Sequence, residues 1–137
     1  MSSILVDNLT GKTTAGSVTV KSEGGAATMQ LQQGLIKAWM RFTGVSTTAA
    51  LDSFNMSVIT DGGTGNTTLG ITSAMENANF SATGYTNFDA TTGADAFDAD
   101  LNGRGFGLVG RSTTRIQHFA FQIDSAVNDV QIAGDLA

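Results

Sequence analysis

The 137-residue chain is expected to fold as an all-β protein, an antiparallel β-sandwich of jelly-roll-like form preceded by a short extended β arm. Three observations predict it. Thr, Ser, Gly and Asn fill the polar positions where a helical protein would carry Ala, Glu, Lys and Arg, and these residues favour strands, caps and turns. Apolar residues, 41% of the chain, come in short runs, several of them alternating with polar ones. Turn signals built on Gly, Asn and Asp separate those runs, as strands joined by tight connections require.

Residues 1–33 are read as an N-terminal β-rich attachment or trimerisation segment. Its apolar patches, Ile4-Leu5-Val6 and Val18-Thr19-Val20, are separated by Thr- and Gly-rich stretches. Val18 and Val20 share one strand face, and Ser17, Thr19 and Lys21 share the other. A ribbon this short is marginal in water and needs a neighbour or copies of itself. Beyond Gly24-Gly25, residues 26–33 suit a short helix or a further strand equally.

Residues 34–137 are read as the sandwich head domain. Leu35-Ile36-Lys37-Ala38-Trp39-Met40-Arg41-Phe42 is apolar on both parities, which predicts a strand covered on both sides with Trp39 in the core. Residues 53–60 and 66–72 form a predicted hairpin across Asp61-Gly62-Gly63-Thr64-Gly65, because glycine supplies the positive φ of tight loops. Residues 79–85 read as a strand and residues 86–105 as loop. In residues 113–123, Phe119, Phe121 and Ile123 share a parity that Ile116 does not, so a bulge is expected near Gln117-His118. Residues 125–128 suit a turn, after which Val130, Ile132, Gly134 and Leu136 alternate with polar and small residues. Five or more strands spaced by turns imply a sandwich or barrel.

Composition excludes several activities. With no cysteine there is no disulfide framework, zinc ribbon or thiol nucleophile. No apolar run reaches the roughly 18 residues of a membrane span, so no membrane insertion is expected. Residues 1–12 lack the basic patch and long apolar core of a secretory leader. Seven basic against 12 acidic residues, net −5 with a pI near 4.4, argue against nucleic acid as a partner.

The run Lys37-Ala38-Trp39-Met40-Arg41-Phe42, then Asp52-Ser53-Phe54-Asn55-Met56-Ser57-Val58-Ile59-Thr60-Asp61-Gly62-Gly63-Thr64-Gly65-Asn66, then Thr72-Ser73-Ala74-Met75 and Asn77-Ala78-Asn79-Phe80 carries a resemblance. It resembles a domain of tailed bacteriophages found in tail-fibre-like and other virion proteins, many from marine phages. Residues 37–85 match its pattern closely and the remainder follows only its strand order. Leu5-Val6-Asp7-Asn8-Leu9 also looks like the opening of such proteins. Two departures stand out: the N-terminal portion is short, with no long shaft repeat, and residues 86–111 do not follow the pattern.

The resemblance implies a non-enzymatic structural protein of the virion, assembled in the host cytoplasm: a short trimeric fibre or tail appendage contributing to host attachment. Its partners would be copies of itself, other tail or capsid proteins, and a host surface glycan. The alternative it implies is a decoration protein cementing the capsid shell. Few charges and no proline leave strand edges unguarded, which independently favours assembly about a symmetry axis.

No cofactor is expected, and no catalytic residue is assigned. His118, the only histidine, can be drawn into a Ser-His-Asp set with Ser112 or Ser125 and Asp124, but no nucleophile-elbow glycines surround either serine. It is expected to face solvent or a neighbouring subunit. Asp89, Asp95, Asp98 and Asp100 form an acidic cluster; Asp95, Asp98 and Asp100 are a weak calcium candidate without the glycine and terminal glutamate of an EF-hand, and a solvated loop is the favoured reading. The glycines from Gly103 to Gly110 lack a P-loop ending and suit close backbone packing or a bulged strand. Arg104, Arg111 and Arg115 are candidate subunit contacts, facing that acidic loop. Tyr85, Asn87, Phe88 and Phe106 are candidate receptor contacts, since sugar faces stack on rings and hydroxyls pair with amides; the plainer alternative puts the phenylalanines in the core.

Overall fold

The computed structural model describes residues 4–12, 18–21, 24–25, 27–32, 34–87, 106–120 and 124–137. Among the described residues there are ten strands and no helix. The chain divides into two compact units, Met1–Leu35 and Ile36–Ala137.

In the first unit β1 (Thr19–Lys21) pairs antiparallel with β2 (Thr28–Gln30), Val20 standing opposite Met29. The stretch that suited helix or strand equally is therefore a strand at its centre. All six residues of the pair are exposed, because two strands alone have no second layer against which to bury a face. Ile4 and Leu5 lie outside any strand and are 85% and 93% exposed.

The second unit has two four-stranded antiparallel sheets. One holds β3 (Ile36–Thr43), β4 (Ala49–Phe54), β7 (Ser81–Asn87) and β10 (Val127–Ala133) in the order β4-β3-β10-β7. The other holds β5 (Met56–Asp61), β6 (Asn66–Ile71), β8 (Phe106–Ser112) and β9 (Arg115–Ala120) in the order β5-β6-β9-β8. Ala38, Met40, Phe42, Val130 and Ile132 from the β3 sheet join Leu69, Ile71 and Ile116 from the β6 sheet in one buried cluster with Met75 and Phe80. Two sheets sharing one core make a sandwich-like body. The order does not follow a jelly roll strand for strand: β3–β4, β5–β6 and β8–β9 are consecutive pairs within one sheet.

The predicted hairpin forms between β5 and β6, its loop closed by Gly62 N–H donating to the Asn66 carbonyl at 2.8 Å. Gly63 and Gly65 have φ of +100° and +69°, the conformation for which the loop needs glycine. Residues 53–60, however, are not one strand. Asn55, at φ +54°, ends β4 and starts β5, so the chain leaves one sheet for the other at that residue.

Two expectations are corrected by register. Along β3, residues 38, 40 and 42 face the core, and Trp39 lies on the opposite face, half-buried, opposite Phe54. The bulge expected near Gln117-His118 does not form: β9 pairs without a break against β6, and it is β8 that carries an extra residue, between Val109 and Ser112. Gly110 sits there at φ +58°, with Gln117 Oε1 2.9 Å from where a Cβ would project. Gly110→Ala is expected to cost about 1–2 kcal/mol in urea denaturation, and Gly110→Asn, which tolerates this φ better, less.

Candidate functional site

The most connected group of polar side chains lies inside the body, between the sheets. His118 on β9, 2% exposed, meets Thr86 on β7 and Asn128 on β10, 7% and 1% exposed. Strand periodicity puts them there: His118 shares the inward parity of Ile116, and Asn128 that of Val130 and Ile132. Thr86 and Asn128 are register partners on adjacent strands, so both point at the β6 sheet.

The hydrogen bonds run in one direction. Asn128 Nδ2 donates to the carbonyls of Ser125 at 3.2 Å and Phe42 at 3.5 Å. Thr86 Oγ1 donates its one proton to Asn128 Oδ1 at 3.1 Å and so accepts from His118 Nε2 at 3.0 Å. The network thereby assigns the neutral ring's proton to Nε2. The imidazole also meets Phe42 edge-on, ring centroids 5.0 Å apart, which adds an aromatic contact between the sheets. Burial lowers the His118 pKa from 6.5 to about 4, because an imidazolium here would lose its hydration.

Beside this network is a cavity of about 10 Å³ lined by Gly44, Gly65, Thr67, His118, Asp124, Ser125 and Asn128. That is room for about one water-sized molecule. Asp124 Oδ1 accepts from Gly65 N–H at 2.8 Å, tying the segment before β10 to the hairpin loop. Ser125, 2% exposed, has its hydroxyl buried with no hydrogen-bond partner among the described residues. The fold thus gathers Ser125, His118 and Asp124 around one small cavity, with Asp124 bonded to Gly65 and His118 to Thr86. The cluster joins the two sheets.

His118 is accordingly not at the surface, where it was expected to face solvent or a subunit; its hydrogen bond to Thr86 makes the interior position tolerable. Arg111 is exposed at the β8 bulge and donates to the Phe80 carbonyl at 3.2 Å, with its guanidinium 5.8 Å from the Phe80 ring centroid. Arg115 is exposed at the start of β9. Tyr85 is half-buried on β7, on the face away from the core, opposite Asp129. Asn87 ends β7 and Phe106 begins β8, but their side chains lie outside the described residues, as do Phe88, Asp89, Asp95, Asp98, Asp100 and Arg104 altogether. Among the described residues no three His, Asp or Glu side chains gather as a metal site.

Sequence reasoning missed Thr86 and Asn128. The available signal was a polar residue on an inward parity, Asn128 between apolar partners in an alternating strand. Comparison with protein-family models, curated proteins and solved structures finds no match.

Proposed function

We propose that the chain is a non-enzymatic virion protein of a tailed bacteriophage, a short trimeric fibre or tail appendage that contributes to host-surface attachment. The sequence resemblance supplies the class. The observation that carries the assembly is the N-terminal unit: both strands of its ribbon are exposed on every residue, and Ile4, Leu5, Val6 and Leu9 stand 59–93% exposed. Apolar chain left in water costs free energy that copies of the same segment, or a docking protein, would recover. Three copies around an axis cover such segments together and repeat any weak binding site three times, which raises avidity.

The residues that carry the resemblance serve the fold. Ala38, Met40 and Phe42 are core, Asn55 makes the sheet crossing, the glycines form the hairpin loop, and Met75 and Phe80 are buried. This supports reading the buried and turn residues of that stretch as scaffold, which leaves its outward-facing side chains for attachment.

Sedimentation of purified protein at micromolar concentration should give three times the 14.1 kDa chain mass; a stable monomer would count against the proposal. Labelling on intact particles should mark the tail. A signal spread over the shell would instead favour the decoration reading.

A further inference from the structure

The face of the β3 sheet turned away from the core has an unusual mixture of groups. One row across it runs Phe54, Trp39, Gln131, Thr83 on β4, β3, β10 and β7, each opposite the next. The neighbouring row runs Asp52, Arg41, Asp129, Tyr85 in the same strand order. Phe54 is 55% exposed, and Arg41, Asp52, Gln131 and Thr83 are exposed as well. Phe54 and Trp39 are directly opposite, which brings their Cβ atoms to about 5 Å and sets two aromatic side chains on adjacent strands of this face. Tyr85 stands two strands and one row away, about 12 Å from Trp39 by strand spacing and rise.

We propose that this face binds a neutral oligosaccharide segment of a bacterial cell-surface polysaccharide, with sugar rings stacked on Phe54–Trp39 and on Tyr85 and their hydroxyls held between by Arg41, Asp129 and Gln131. The inference deepens the attachment reading, and rests on it only for the source of the sugar. Sugar hydroxyls both donate and accept. The Asp52–Arg41–Asp129 row offers both functions side by side, and flat apolar sugar faces match exposed rings. A second copy of the chain is a poorer occupant, since the centre of a stable protein interface is depleted of charge. A phosphate-rich ligand is repelled by a face whose charged row holds two carboxylates to one guanidinium and by a chain of net charge −5.

Trp39 is the only tryptophan, so its fluorescence reports on this face alone. The full-length protein should be titrated with fragments of lipopolysaccharide O-chains and capsular polysaccharides, in parallel with an array of the same fragments. At least one neutral fragment should change the Trp39 emission saturably. Phe54→Ala, at an exposed site, should keep the native thermal midpoint and weaken that binding about tenfold, and Tyr85→Ala should weaken it too. Absence of binding to every fragment, or equal binding by both variants, overturns the proposal. If soluble protein blocks phage adsorption and Phe54→Ala blocks it equally well, attachment stands and this face is excluded. If fragment binding depends on Phe54 but labelled protein is absent from the tail, the sugar site stands and the attachment reading falls.

Discussion

Acidification from pH 7.5 to pH 4 should remove about 3 kcal/mol of folding stability through His118 alone. The folded pKa is about 4, against 6.5 for a free imidazole. Between those values the unfolded chain binds a proton that the folded chain refuses, so stability is complete above pH 6.5, falls as pH drops through the window, and levels off below about 4. The structural cause is specific. His118 is enclosed between Phe42, Thr86 and the cavity wall, with Nε2 already donating to Thr86, so the second proton must enter the interior on Nδ1. Asp124 lines the same cavity, and its Oδ1 is engaged by Gly65. Urea midpoints at both pH values should show the loss in the native sequence. His118→Gln should be less stable at pH 7.5 yet show a much smaller loss between the two. Equal pH dependence in both proteins would remove His118 as the cause.

Asn55→Ala should destabilise the body by about 2–3 kcal/mol. Asn55 Nδ2 donates to the Lys37 carbonyl at 2.9 Å and to the Ser73 carbonyl at 3.4 Å, while Oδ1 accepts from Ser73 N–H at 2.7 Å. Its own carbonyl accepts from Thr72 N–H at 3.0 Å, so one residue fastens the crossing between sheets to chain on both sides of it. Alanine loses the three side-chain bonds and also sits poorly at φ +54°. Asn55→Gly relieves the backbone and loses the same bonds, so it should recover about 1 kcal/mol relative to alanine. Denaturant titration of the two variants separates backbone strain from hydrogen bonding. Equal stabilities would mean that the strain contributes nothing.

These two residues mark where reading the sequence stops. The β5–β6 hairpin is legible because its signals are adjacent: two β-prone runs and a loop of glycines. The alternation in β10 is equally plain, with Val130 and Ile132 buried and Gln131 exposed. Asn55, by contrast, reads as one more polar residue inside a strand, since its partners Lys37 and Ser73 are each 18 residues away. His118 reads as a surface histidine until Thr86, 32 residues earlier, is brought beside it. The parity conflict in β9 pointed to a bulge at Gln117-His118 that the pairing does not show; the bulge that forms, at Gly110 on β8, lies in the glycine run that suited close packing or a bulged strand. The outward face carrying Phe54, Trp39 and Tyr85 was likewise hidden, because β4, β3 and β7 become one surface only through β10 and the register.

The amino-acid sequence by itself determined that the protein is all-β, where the β5–β6 hairpin turns, and which parities of the best-patterned strands are apolar, because propensity, turn chemistry and side-chain alternation act within a few residues. Tertiary structure alone decided which sheet each strand joins, where the chain crosses between sheets, and which polar groups meet in the interior. Those are properties of pairs of distant residues, set by the register that buries both apolar faces at once while bringing Thr86 into hydrogen bonds with His118 and Asn128.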